Sequence, residues 1–205
     1  MLIKTLPLGQ LETNCYIVTD PETLDCVVID PGDESNVILS YLEENQLKPQ
    51  AIFLTHGHHD HFLAAEALAL ETGVKIYINR RDTDTDGPPQ TYRFRVTPET
   101  AFYAEGDEIR IGGLTFHVME TPGHSPGSVT LQCEDALFTG DCLFRDSCGR
   151  TDLPGGDMET IMESLRRLGS LEGDIEVYPG HMDSSTLERE RMFNYYLRYA
   201  MGQEG

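Results

Sequence analysis

No stretch of the chain approaches the roughly 20 apolar residues that a membrane-spanning helix needs. No basic segment followed by an apolar one opens it either, so a signal peptide is not expected and residues 1–8 read as a first strand. Basic residues are scarce: 15 Lys and Arg stand against 35 Asp and Glu, a formal net charge of −20. Phosphate binding depends on clustered Lys and Arg, so nucleic acid and anionic membranes are not expected as partners. The five cysteines (Cys15, Cys26, Cys133, Cys142 and Cys148) are odd in number and include no CxxC pair. That argues against a disulfide framework and for a reducing, cytoplasmic setting. Repeats, linkers and low-complexity tracts are also missing. What is left is an ordinary globular composition, 39% hydrophobic over 205 residues, read as one domain over residues 1–205.

Short β-like runs at 3–7, 15–19 and 26–30 are broken by Thr13-Asn14, Asp20-Pro21 and Pro31-Gly32-Asp33. Val37, Ile38, Tyr41 and Leu42 then fall at helical spacing within 35–44. Further strands are expected at 51–54, 75–78, 108–111, 115–120, 128–132, 136–139 and 175–178, with Gly112-Gly113 as a hairpin turn. Further helices are expected at 62–70, 157–168 and 187–199. Residues 80–106 carry Asp82, Asp84, Asp86, Gly87, Pro88 and Pro89 close together, which suits a surface loop or lid. The order of elements suits a layered α/β domain with helices covering packed sheets.

Four of the seven histidines lie in the hexapeptide His56-Gly57-His58-His59-Asp60-His61. Two imidazoles separated by one Gly can fold onto a single ion, because Gly tolerates the backbone of a tight turn. Asp60 and His61 then point to a neighbouring position, and such a mixed set suits zinc, iron or manganese. A solvated His-rich loop is the bland alternative, and the rest of the chain weighs against it. Strand 51–54 leads into Thr55-His56, and 116–120 into Thr121-Pro122-Gly123-His124. Strand 136–139 leads into Gly140-Asp141, and 175–178 into Pro179-Gly180-His181. Four times an apolar strand ends in a short turn that presents His or Asp, and strand ends can converge on one rim of a sheet. His59 reads as solvent-facing or supporting, His117 as a structural hydrogen-bonding residue, and Tyr195, Tyr196 and Tyr199 as packing.

The set His56-x-His58-x-Asp60-His61, His124, Asp141 and His181 resembles the metallo-β-lactamase superfamily in its glyoxalase II-like branch. The resemblance runs from Leu8-Gly9 and Asn14-Cys15-Tyr16 to the final helix. It implies a four-layer αββα sandwich and two divalent metal ions, zinc first, with iron or manganese as alternatives. His56, His58 and His124 would hold one ion, and Asp60, His61 and His181 the other. Asp141 would bridge them, with Asp60 and Asp141 as the catalytic carboxylates. The implied reaction is hydrolysis of a small-molecule thioester of the hydroxyacylglutathione type, S-D-lactoylglutathione above all, by a metal-bound hydroxide. A β-lactamase proper is disfavoured, because those enzymes commonly place Cys where Asp141 stands; Cys142 reads as a packing residue.

Cys148-Gly149-Arg150 sits where the branch often carries Cys-Gly-Lys, so Arg150 is a candidate to bind a substrate carboxylate; a surface Arg paired with Asp152 is the equal alternative. Few residues follow His181, so the helical domain that helps the longer enzymes bind glutathione is not expected. Met182-Asp183 also departs from the Gly-Pro common after the last His, so the rim of the second ion's site is expected to differ. Two other readings stay open. One is a mononuclear-iron persulfide dioxygenase using His56, His124 and Asp141, which shares the Cys-Gly-Arg-Thr-Asp stretch at 148–152. The other is a non-catalytic metal-binding domain.

Overall fold

The computed structural model describes residues 1–84 and 93–203. Side-chain alternation along the strands builds the layers. In β2 (Thr13–Thr19), Cys15 and Ile17 face one way while Tyr16 and Val18 face the other. The same alternation runs through β3 (Asp25–Ile29), β4 (Lys48–Phe53) and β5 (Lys75–Asn79), each buried on both faces. With β1 (Leu2–Leu8) and β6 (Thr100–Tyr103) these form a six-stranded sheet in the order β1-β2-β3-β4-β5-β6. Its outer face packs α1 (Ser35–Glu44) through Ile38 and Leu42, and α3 (Ala65–Thr72) through Ala65, Leu68 and Ala69.

The second sheet contains β7 (Glu108–Ile111), β8 (Leu114–Glu120), β9 (Val129–Cys133), β10 (Ala136–Gly140), β13 (Glu176–Pro179) and β14 (Ser185–Thr186), in the order β14-β13-β10-β9-β8-β7. Between β10 and β13 lie the two-strand hairpin of β11 (Leu143–Phe144) with β12 (Ser147–Cys148) and the helix α4 (Met158–Gly169). Phe116, Val118, Phe138 and Tyr178 point at the first sheet and interlock with Tyr16, Val27 and Phe53. On the other face Met119, Leu137 and Val177 meet Ile161, Leu165 and Leu168 of α4 and Leu197. The order helix, sheet, sheet, helix is the expected αββα sandwich.

Three differences from the sequence reading have physical causes. The expected helix over 62–70 is two pieces, α2 (His59–Phe62) and α3, so α2 begins inside the histidine motif. The expected closing helix over 187–199 breaks into α5 (Leu187–Phe193) and α6 (Tyr195–Ala200). Asn194 leaves the helical region at φ −75°, ψ 113°, and its side chain caps the new helix by accepting from Tyr196 N and Leu197 N. Tyr196 packs on the core as expected, whereas Tyr195 and Tyr199 are exposed and stack on each other. Finally, 80–106 is not all loop. It contains a 3-10 turn (Arg80–Asp82) and strand β6, and Asp82 is buried at 2% exposure rather than on the surface. Asp86, Gly87, Pro88 and Pro89 lie outside the described residues.

All five cysteines are free thiols, and Cys142 is fully buried against α4. His117 is half exposed and pairs with Glu108 Oε1 across β7 and β8 at 3.3 Å. Among the described residues no helix is long and apolar enough to cross a membrane.

Candidate metal centre

The C-terminal ends of β4, β10 and β13, the turn after β8 and the start of α2 meet at one rim of the sandwich. There the structure brings together all seven residues read from the sequence. The ligand atoms fall into three overlapping triads, each with its atoms within 4.8 Å: His56, His58 and His124; Asp60, His61 and His181; and His56, His61 and Asp141. Asp141 stands between the first two. Its Oδ1 lies 3.4 Å from His61 Nε2, while its Oδ2 lies 3.4 Å from His124 Nε2 and 3.6 Å from His181 Nε2. Asp60 Oδ2 faces His181 Nε2 at 3.2 Å and His61 Nε2 at 3.5 Å. His58 Nδ1 and His124 Nε2 face each other at 2.8 Å.

Four rings are fixed from behind, leaving the other nitrogen inward. His61 Nδ1 donates to Asp30 Oδ2 at 2.9 Å, His124 Nδ1 to Arg150 O at 2.7 Å, and His181 Nδ1 to Leu11 O at 3.2 Å. Thr55 Oγ1 donates its one proton to Asp30 Oδ2 at 2.6 Å, so toward His56 Nδ1, 3.1 Å away, the same oxygen accepts. Each Nε2 is thereby left as a lone pair, the form a metal requires. His56 Nε2, His61 Nε2 and Asp141 Oδ1 are buried with no hydrogen-bond partner. Buried polar atoms are almost always satisfied. Three orphans in one cluster of imidazoles and carboxylates fit a divalent cation by position and by donor type.

The electrostatics agree. Burial, with the crowding of His61, His124, His58 and His181, holds His56 well below the ordinary imidazole range. Burial and His124 take His58 down to about 4. His61 behaves oppositely: burial pushes it down, but Asp141, Asp30 and Asp60 outweigh that and raise it to about 9. Burial also pushes His181 down and Asp60 up, yet the hydrogen bond between them raises His181 and holds Asp60 far below the carboxylate range. The carboxylates around Asp141 thus demand a positive charge, which a proton on His61 supplies when no metal does.

A pH prediction follows for the metal-free protein. Because the folded pKa of His61 is raised, its stabilisation is complete below 6.5 and is lost as pH climbs to about 9. Because that of His58 is depressed, stability is lost as pH falls from 6.5 toward about 4. Thermal melts from pH 4 to 9 should therefore peak near pH 6.5 without metal. Bound metal displaces the His61 proton and should abolish the alkaline decline. A metal-free melting temperature that rises steadily from pH 6.5 to 9 would contradict the role given to His61.

Two supporting carboxylates escaped the sequence reading. Asp30, at the end of β3, accepts from Thr55 N at 2.7 Å as well as from Thr55 Oγ1 and His61 Nδ1. Asp82 accepts from Gly57 N at 2.8 Å, Ser125 Oγ at 2.5 Å and Gly127 N at 2.6 Å, tying the histidine motif to the turn that carries His124. The only sequence signal for Asp30 is its position before Pro31-Gly32, directly after an apolar strand. Gly57 is needed for a reason other than the one expected: its φ is not positive, but a Cβ there would lie 2.2 Å from Asp82 O. Asn14 and Tyr16 also hold the centre, donating to Pro179 O at 3.0 and 2.6 Å in the turn that presents His181. For Asp30→Asn, which leaves the His61 proton without an anionic acceptor, metal affinity should fall about 10–100-fold. Titration against a competing chelator measures this, and an unchanged affinity would remove Asp30 from the support.

A cavity of about 660 Å³ opens over the centre, walled by apolar side chains including Leu11, Phe144, Leu153, Pro154 and Met182. His59 lies at its edge, 3.8 Å from Asp60. Arg150 reaches the rim but is exposed and held in a two-point pair with Asp152, at 2.6 and 2.7 Å. Met182, in the left-handed region at φ 70°, lines the cavity beside His181.

Comparison with known proteins matches this arrangement. Residues 8–181 match the family described as the metallo-beta-lactamase superfamily. Hydroxyacylglutathione hydrolase GloC of Haemophilus influenzae is 34% identical over 96% of this chain and 98% of its own. Among solved structures, the BLEG-1 B3 metallo-beta-lactamase superposes with a TM-score of 0.86 at 33% identity, covering 96% of this chain and 99% of its own. ETHE1 from Myxococcus xanthus superposes with a TM-score of 0.81 at 30% identity, covering 95% and 84%. Three differently named proteins at near-equal likeness leave the reaction to be argued from the site, while the matched span and shared fold place this chain in the metallo-β-lactamase superfamily.

Proposed function

We propose that the protein is a thioester hydrolase of the hydroxyacylglutathione type, working with two divalent ions, zinc in the first instance. His56, His58 and His124 would hold the first ion and Asp60, His61 and His181 the second, with Asp141 shared between them. The observation that carries this reading is the cluster of orphaned buried atoms, His56 Nε2, His61 Nε2 and Asp141 Oδ1, inside three overlapping ligand triads. Two ions so held would supply a water of near-neutral pKa and Lewis-acid polarisation of a carbonyl.

The chain's own groups do the rest. Asp60 and Asp141 balance the positive charge, and both line the cavity. Thr13 Oγ1, 3.2 Å from Asp60 Oδ2, fixes that carboxylate's rotamer. A thiolate leaves without a strong general acid, so no Ser, Cys or Lys nucleophile is needed. The apolar cavity wall shields the acyl group from bulk water, and Arg150, anchored by Asp152, meets a substrate carboxylate at the rim.

The complete second triad favours this reading over the dioxygenase, which needs only one iron. Purified protein loaded with zinc, iron or manganese should hydrolyse S-D-lactoylglutathione and simple thioesters, with about two ions per chain at full activity. Oxygen uptake on glutathione persulfide with a single iron, or turnover confined to β-lactams, would overturn the proposal. No turnover of any of these at full metal occupancy would favour a binding domain.

A further inference from the structure

The hairpin of β11 and β12 supplies Phe144, Ser147 and Cys148 to the cavity wall, and the Phe144 ring stands perpendicular to His181 with centroids 6.2 Å apart. It is a poor wall by itself. It has two residues per strand, and its tip residue Asp146 sits in the left-handed region at φ 60° without being glycine. Its stiffness comes from α5 and the break before α6. Glu190 is fully buried, and burying a carboxylate is tolerated only where partners compensate it. Glu190 Oε2 accepts from the Asp146 backbone N at 2.7 Å and from Asn194 Nδ2 at 3.0 Å. Glu190 Oε1 accepts from Ser185 Oγ and from Arg189 Nη1, the latter at 2.6 Å. Arg189 in turn forks onto both oxygens of Asp146 at 2.8 and 2.9 Å. Asn194, also fully buried, shares the two protons of Nδ2 among Glu190 Oε2, Phe144 O at 3.1 Å and Ser147 O at 2.9 Å.

We propose that Glu190 and Asn194 are positioning residues that lock the β11–β12 hairpin as the substrate-facing wall, and so set substrate affinity without touching metal or substrate. The inference rests on the thioester reading for its kinetic part only. The buried anion and the amide bind the hairpin's main chain rather than its side chains, so they hold the shape of the wall whatever residues line it. Neither is among the residues whose ligand atoms form the metal cluster. Their loss should therefore appear in binding and local mobility, not in metal content.

The test uses the full chain, metal-loaded, as Glu190→Gln and Asn194→Ala. Hydrogen exchange of residues 143–148 should rise at least about tenfold, with metal content unchanged. KM for S-D-lactoylglutathione should rise about tenfold while kcat changes less than about threefold, the signature of lost binding in which the transition state gains nothing special. Asn194→Ser keeps a side-chain oxygen to cap α6 while removing the donor to Phe144 O and Ser147 O. It should show the same split, and it decides the matter if the Glu190 variant does not fold. Unchanged exchange in the hairpin, or metal loss and kcat falling together with KM constant, would overturn the inference. If the wild type turns over no thioester, the proposed function fails while the exchange measurement still decides whether the clamp exists.

Discussion

Asp141→Ala should bind about one metal ion per chain instead of two and lose about three orders of magnitude in kcat, since the Lewis-acid contribution of such a centre is several kcal/mol. The expectation rests on where the carboxylate stands. One oxygen faces His61 and the other faces both His124 and His181, so a single side chain spans the two triads. Without it the six remaining residues are two sets of three with no shared anion. Asp141 is also the foremost counter-charge raising His61, so the variant should lower the His61 pKa and flatten the alkaline decline in the metal-free melt. Asp141→Asn, which keeps the shape and one oxygen, should fall between the two. Elemental analysis and turnover on the same preparation check the claim; two bound ions with full activity in Asp141→Ala would overturn the bridging role.

Gly180→Ala should do comparable damage without removing a single ligand. A Cβ at this position would lie 2.2 Å from Asp141 Oδ1 and 2.7 Å from His61 Cε1. Neither His61 nor the Gly180 backbone can give way. His61 is fully buried and tied to Asp30. The Gly180 backbone is pinned on both sides, donating to Gly140 O at 2.8 Å and accepting from Asn14 N at 2.7 Å. The added methyl must therefore turn Asp141 out of the centre. Overpacking of this kind costs about 1–3 kcal/mol in stability, so the melting temperature should drop while the chain still folds. The second ion should be lost, and turnover should fall by about two orders of magnitude or more, if most of the bridging contribution goes with the carboxylate. Full metal content and wild-type turnover would show that the close approach at Gly180 is dispensable.

How much of this was legible beforehand follows from the range over which each feature is encoded. Strand alternation and strand-end placement are local, so β2 to β5 and the convergence of His56, His124, Asp141 and His181 could be read from runs of a few residues. The split of the last helix was not, because Asn194 is judged by bonds to Phe144 O and Ser147 O, 50 and 47 residues away. Asp82 looked like one of several loop aspartates. It differs from Asp84 only in being buried beneath Gly57, Ser125 and Gly127.

The sequence by itself determined a layered α/β domain and the seven residues that come together at its rim, because a period of two and a ligand spaced by glycine are properties of adjacent residues. Only the tertiary structure decided which nitrogen of each imidazole faces inward, which histidines are held neutral and which is drawn toward a charge, and which distant carboxylates make them so. Most of these hydrogen-bond partners and local fields are set by groups separated by 25 to 170 positions along the chain, and no local pattern carries them.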